Sequence, residues 1–116
     1  MPPEGPSSQR SGAIAAKADA IDAEMKRLGV WQPGPLAPEK ARFTQAFGMD
    51  TMAFTEWLQF VFLPRVRECL ETGDFPASSQ VGVQAIREFD GWDEVSDLVS
   101  LLCEFDILFN DGSLSY

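Results

Sequence analysis

The sequence has no histidine and only two cysteines among its 116 residues. Without an imidazole there is no Ser-His-Asp or Cys-His nucleophile system and no ordinary neutral-pH general base. The commonest ligand of zinc and non-haem iron is missing as well. Cys69 and Cys103 lie far apart in the chain with no CxxC spacing, so they make no structural zinc site. Free, buried thiols in a reducing cytoplasm are expected of them. No glycine-rich phosphate loop occurs, since Gly5, Gly12 and Gly29 stand alone. No run of about 18 apolar residues is present, so no membrane-spanning helix is expected. The opening Met1-Pro2-Pro3-Glu4-Gly5 lacks the basic start and apolar stretch of a signal peptide, and the composition reads as cytoplasmic. Neither a cofactor nor catalysis is expected.

Positive charge is missing from one end. Residues 1–87 carry 9 basic and 10 acidic side chains, whereas residues 88–116 carry no basic and 8 acidic ones. Such a block repels phosphate backbones and argues against direct nucleic-acid binding. It fits a solvated face or a docking surface for a basic partner protein.

What the chain does have is helical periodicity and aromatic bulk, with 9 Phe and 3 Trp. Residues 1–10, rich in Pro, Ser and Gly, read as a disordered tail, and 11–116 as one domain. Ile14, Ala18, Ile21, Met25 and Leu28 recur at helical spacing, which predicts a first helix over about 12–28 ending at Gly29. The proline-dense stretch from Trp31 to Pro38 predicts a long loop. A second helix is expected over about 53–72, capped by Asp50 or Thr51, with Phe54, Trp57, Leu58, Val61, Phe62, Val66, Cys69 and Leu70 on one stripe. Gly73-Asp74-Phe75-Pro76 reads as a turn before a short third helix, about 79–89, capped by Ser78 or Ser79. A fourth helix, about 93–109 with Asp93 as cap, carries the stripe Val95, Leu98, Val99, Leu102, Phe105 and Phe109. Without period-2 alternation, the fold class is all-α: a compact bundle of four main helices, with the second and fourth at its centre.

Two charges fall on apolar stripes. An unbroken helical phase puts Arg65 mid-stripe in the second helix and Asp106 mid-stripe in the fourth, which predicts a buried Arg65–Asp106 ion pair helped by Asp50. Pro64 withholds a hydrogen bond from the Phe60 carbonyl and predicts a kink at the same place. The alternative reading is a pocket near Arg65 and Asp50 that holds an anionic small molecule. Glu56, Gln59 and Phe60 fall on the less apolar side of the second helix and are candidates for surface roles. Trp31, Trp57 and Trp92 read as core anchors.

Met49-Asp50-Thr51-Met52, Glu56-Trp57-Leu58-Gln59 and Leu63-Pro64-Arg65, in this order, resemble the signature of the bacterial YqcC-like proteins, a small helical family without an established activity. The likeness is looser in Gly29-Val30-Trp31-Gln32, Gly73-Asp74-Phe75-Pro76 and Phe105-Asp106-Ile107-Leu108-Phe109-Asn110. Ala46 departs from the family's frequent proline, and Phe75 from its leucine. The resemblance implies a bundle of four or so helices. Members are often labelled tRNA pseudouridine synthase C because their genes tend to lie beside that enzyme's gene, so the resemblance implies an accessory role. The expected function is protein binding, with a basic partner meeting Phe60, Glu94, Asp97 and Glu104, and a tRNA-modifying enzyme as the candidate through family association.

Overall fold

The computed structural model describes residues 5–76 and 78–111 and builds them around four helices. These are α1 (Gly5–Leu28), α2 (54–72), α3 (Val81–Glu88) and α4 (Ser96–Asp111). Short 3-10 turns at Pro38–Arg42, Ala46–Gly48 and Asp93–Val95 lie in the connections, and no strand occurs among the described residues. The all-α reading holds.

In α1 the spaced apolar residues Ile14, Ala18, Ile21 and Met25 are completely buried. The helix ends as its glycine predicts. Gly29 takes φ 76°, its N–H donates to the Lys26 carbonyl at 3.1 Å, and that of Val30 donates to the Met25 carbonyl at 3.2 Å. At the other end α1 begins at Gly5 rather than at residue 12, so residues 5–10 belong to the helix; residues 1–4 lie outside the described residues. Arg10 explains the extension. Its guanidinium lies 5.2 Å from the Phe109 ring centroid and 5.4 Å from that of Phe75, and it donates to the Phe109 carbonyl at 2.6 Å.

The second helix departs from regular phase in its middle. After an α turn at Phe54–Trp57, Leu58–Phe62 form a π turn, in which the Leu63 N–H reaches back five residues to the Leu58 carbonyl; α geometry resumes over Leu63–Thr72. Pro64 has no N–H to offer the Phe60 carbonyl, and the wider turn just before it accommodates the ring without ending the helix. An extra residue in the turn displaces every later side chain by about 100°. Leu63, expected off the stripe, is therefore buried along with Val66, and Arg65, expected mid-stripe, is exposed beside Pro64.

The last helix is the hub. It packs along α1 on one side and α3 on the other, while the distal part of α2 rests on α1. The central pair expected from the sequence is not the main packing; the second and last helices meet through Phe62 and Phe105, ring centroids 5.0 Å apart. Gly82 sets the α3–α4 approach: a β-carbon there would sit 2.6 Å from the Cys103 α-carbon, closer than any side chain permits. Aromatic rings join the layers in one chain of edge and stacked contacts, from Trp92 through Phe89, Phe54, Trp57, Phe62, Phe105 and Phe109 to Phe75.

Candidate functional site

The motif between Met49 and Gln59 is mostly internal wiring. Asp50 does not cap α2. Its carboxylate instead accepts from the Thr44 N–H and hydroxyl, each at 3.0 Å, and from the Gln45 N–H at 3.3 Å, and these bonds hold its pKa below the usual carboxylate value. Thr51 is not the cap either; its hydroxyl donates to the Lys40 carbonyl at 2.7 Å. Ala53 occupies the cap position, and Glu56 reaches back to accept its N–H at 2.9 Å. The other Glu56 oxygen accepts from Lys40 Nζ at 2.7 Å and Gln32 Nε2 at 2.8 Å.

Gln59 completes that staple. Its Oε1 accepts the Gln32 N–H and its Nε2 donates to the Gln32 carbonyl, both at 2.8 Å. Glu56 and Gln59 are each only 7 % exposed, which corrects their expected surface roles. A helical projection cannot show that the loop after α1 folds back over this face. Lys40 above all, then the Ala53 and Gln32 donors, hold the Glu56 carboxyl at about 2. Met52, Trp57 and Leu58 are buried, Met49 is 54 % exposed, and Phe60 is half-buried.

The expected Arg65–Asp106 pair does not form. Asp106 is buried, but its partners are the Ser79 hydroxyl at 2.6 Å, the Val81 N–H at 3.1 Å and the Gly82 N–H at 2.7 Å. It caps α3 from another helix, replacing the cap expected from Ser78 or Ser79 and satisfying first-turn donors. Asn110 ties the same segment from one turn further along α4, accepting the Ser79 N–H at 2.9 Å and donating to its carbonyl at 3.0 Å. Asp93 opens the 3-10 turn before α4 without a side-chain cap bond. Arg65 has no hydrogen bond or ion pair among the described residues.

Arg65 instead lines a cavity of about 360 Å³. The other walls include Trp57, Phe62, Phe75, Phe105 and Phe109, with Cys69 beside them. Asp50, expected at such a pocket, is not in its wall. Trp57 Nε1 is buried with no hydrogen-bond partner among the described residues. Phe47, also in the wall, adopts φ 59°, and its ring centroid lies 5.0 Å from that of Trp57. A bulky side chain in this left-handed region is strained. Burial raises the pKa of both free thiols, Cys69 and Cys103, which keeps them protonated and weakly nucleophilic at neutral pH.

The outward surface of 83–107 has another character. Glu88, Asp90, Asp93, Glu94, Asp97 and Glu104 are exposed there, with Arg87 as the one base. Glu104 meets Lys17 at 2.8 Å. Of the five large exposed hydrophobic side chains among the described residues, Val83, Ile86, Trp92 and Ile107 belong to this stretch. Among the described residues no three His, Cys, Asp or Glu side chains gather as metal ligands, and no helix is long and apolar enough to cross a membrane.

Together these features define a small all-α domain in which nearly every buried polar group holds a loop or helix end in place. The chain belongs to the DUF446 family, described as tRNA pseudouridine synthase C, which it matches over residues 13–108. It is 34% identical over 98 residues to an uncharacterized protein of Haemophilus influenzae, a match covering 81% of this chain and 90% of that protein. It is 33% identical over 58 residues to the uncharacterized protein YqcC of Escherichia coli, covering 50% of this chain and 53% of that one. A protein of Pectobacterium carotovorum named tRNA pseudouridine synthase C is 38% identical over 52 residues, which are 45% of this chain but only 14% of that protein. The YqcC-like resemblance is thereby shown. No solved structure matches the chain significantly.

Proposed function

We propose that this domain is a non-catalytic, cytoplasmic protein-binding factor that docks on a basic surface of a tRNA-modifying enzyme. The carrying observation is the stretch 83–107, which exposes six carboxylates and four large apolar side chains. Val83 and Ile86 are exposed on α3, while Glu104 and Ile107 are exposed on α4 beside α1, where Glu104 pairs with Lys17. Carboxylates with apolar anchors complement a basic amphipathic surface and repel nucleic acid, so RNA would be reached through the partner. Phe60, being half-buried, is replaced by these residues as the anchor.

The partner class rests on the Pectobacterium protein. Its similarity to this chain fills 14% of its length, whereas the Haemophilus match fills 90% of an uncharacterized protein. A stretch similar to 45% of this chain thus occurs within a longer chain of that name, while a separate protein resembles 81% of it. Covalent linkage and docking are two ways to hold one domain beside an enzyme.

The test is titration of this protein with the purified tRNA pseudouridine synthase of the same organism at 50 and 500 mM NaCl. Micromolar binding at low salt, weakened at least tenfold at high salt and by Glu94→Lys with Asp97→Lys, is expected. No saturable binding at low salt would sink the assignment.

A further inference from the structure

We infer that the cavity between α2, α4 and the segment before α3 is a binding site for an elongated aromatic carboxylate with a hydrogen-bond acceptor at its far end. This goes beyond the proposed docking and does not depend on it, because the cavity wall and the 83–107 surface use different side chains.

Three features specify the ligand. The first is the wall: Phe62, Phe75, Phe105 and Phe109, with Trp57 and Phe47, present ring edges and faces to about 360 Å³ of space, room for a flat apolar body. The second is the Trp57 indole N–H, a buried donor without an acceptor, on a side chain only 8 % exposed. Buried donors of this kind are rare, Arg10 Nε being the other among the described residues; the Trp57 indole belongs to the cavity wall, and turning its N–H toward a ligand there would give it an acceptor from outside the chain. The third is Arg65, a guanidinium in the same wall with no carboxylate of its own among the described residues. The protein's net charge of −9 discourages anions elsewhere on its surface, so a carboxylate that binds here depends on this cation.

Trp57 and Arg65 are eight residues apart on one helix, on either side of the π turn, and line the same cavity. A molecule with a carboxylate at Arg65, an aromatic middle and an acceptor oxygen at Trp57 would engage both, and 4-hydroxycinnamate carries these groups in this order. The π turn at Leu58–Phe62 and the strained Phe47 both belong to this locality. The turn is what swings Arg65 out of the helix stripe and leaves it unpaired.

The probes are 4-hydroxycinnamate, cinnamate, which lacks the phenol oxygen, and 4-hydroxycinnamamide, which lacks the charge. Each is titrated into the intact protein by calorimetry and by ¹H–¹⁵N spectra that resolve the three indole N–H signals. Saturable binding of 4-hydroxycinnamate is expected, with about tenfold weaker binding of each truncated probe. The Trp57 indole signal, assigned by its loss in Trp57→Phe, should move with 4-hydroxycinnamate and much less with cinnamate. Arg65→Gln, a change at an exposed side chain, should fold normally and lose the preference for acid over amide. The inference is overturned by absence of saturable binding of 4-hydroxycinnamate at millimolar concentration, by equal affinity for all three probes, or by a Trp57 signal that stays still.

Discussion

Two buried carboxylates organise two parts of this domain in different ways. Glu56, near the start of α2, works locally: it accepts its own helix's Ala53 N–H and binds Gln32 and Lys40 from the loop just upstream. Asp106, near the end of α4, works at long range, accepting one hydroxyl and two backbone N–H groups around the start of α3. Glu56 has a cation; Asp106 has oriented dipoles alone. A carboxylate can be buried without a counter-ion when helix-terminal donors converge on it. Where a side-chain cation is present, it sits at the rim: the Lys40 side chain is 38% exposed.

The long-range part should be the more fragile, and Gly82 is the place to break it. Its missing side chain lets the α4 backbone and Asp106 approach, with a built β-carbon 2.9 Å from the Asp106 carboxylate and 2.6 Å from the Cys103 α-carbon. Gly82→Val must separate α3 from α4, for an expected loss of about 3 kcal/mol or more in urea unfolding followed by circular dichroism.

Next in size is Asp106→Ala, which strands the Ser79 hydroxyl and the N–H groups of Val81 and Gly82. A loss of about 2–3 kcal/mol is expected by the same assay. Arg65→Leu sharpens the contrast, since an exposed, unpaired side chain should cost less than about 0.5 kcal/mol. Comparable losses in the two variants would revive the ion pair that the sequence suggests and refute the interhelical cap.

Why the sequence pointed to that pair is instructive. The apolar repeat of α1 and its terminal Gly29 are legible because an unbroken α-helix has one phase, and the stripe Ile14, Ala18, Ile21 and Met25 is buried as spaced. Across Leu58–Phe62 the phase changes, and Pro64 signals a disturbance without saying whether the helix kinks or widens. Arg65 and Leu63 beyond that point were therefore misplaced, although Val66 is buried as expected. Asp106 was correctly read as buried, but its partners come from the start of α3, and no intrahelical spacing encodes that contact. Glu56 and Gln59 hid for a related reason: the loop that covers them has no periodicity. A pocket at Arg65 was the alternative reading, but its aromatic wall was not legible, because Trp57, Phe75 and Phe105 meet only once the helices pack.

The local part yields to pH. Glu56 is held at about 2 against an ordinary 4.5, chiefly by Lys40. A carboxyl depressed by folding stabilises the native state fully above its unfolded pKa, and that contribution is lost as pH falls through the folded value. Glu56→Gln should cost about 1–2 kcal/mol near neutral pH, because the amide accepts fewer of the three donors. The gap between wild type and variant should stay level above pH 4.5 and shrink towards pH 2. A gap that widens on acidification would mean that Glu56 is buried as the neutral acid.

The smallest expected effect tests whether the cation in this part matters at all. Lys40→Met keeps the length and apolar stem of the side chain and removes only the ammonium, which is partly in water and screened there. Glu56 keeps its bonds from Ala53 and Gln32, so a loss of about 0.5 kcal/mol is expected. In a double-mutant cycle with Glu56→Gln, the coupling should fall below about 1 kcal/mol and decline further in 1 M salt. A larger, salt-insensitive coupling would show that Lys40 carries the staple, and the two parts would then differ in kind: one held by an ion pair, the other by backbone dipoles. A small coupling places both carboxylates under one rule, in which neutral donors fix the geometry and the cation only adjusts the charge.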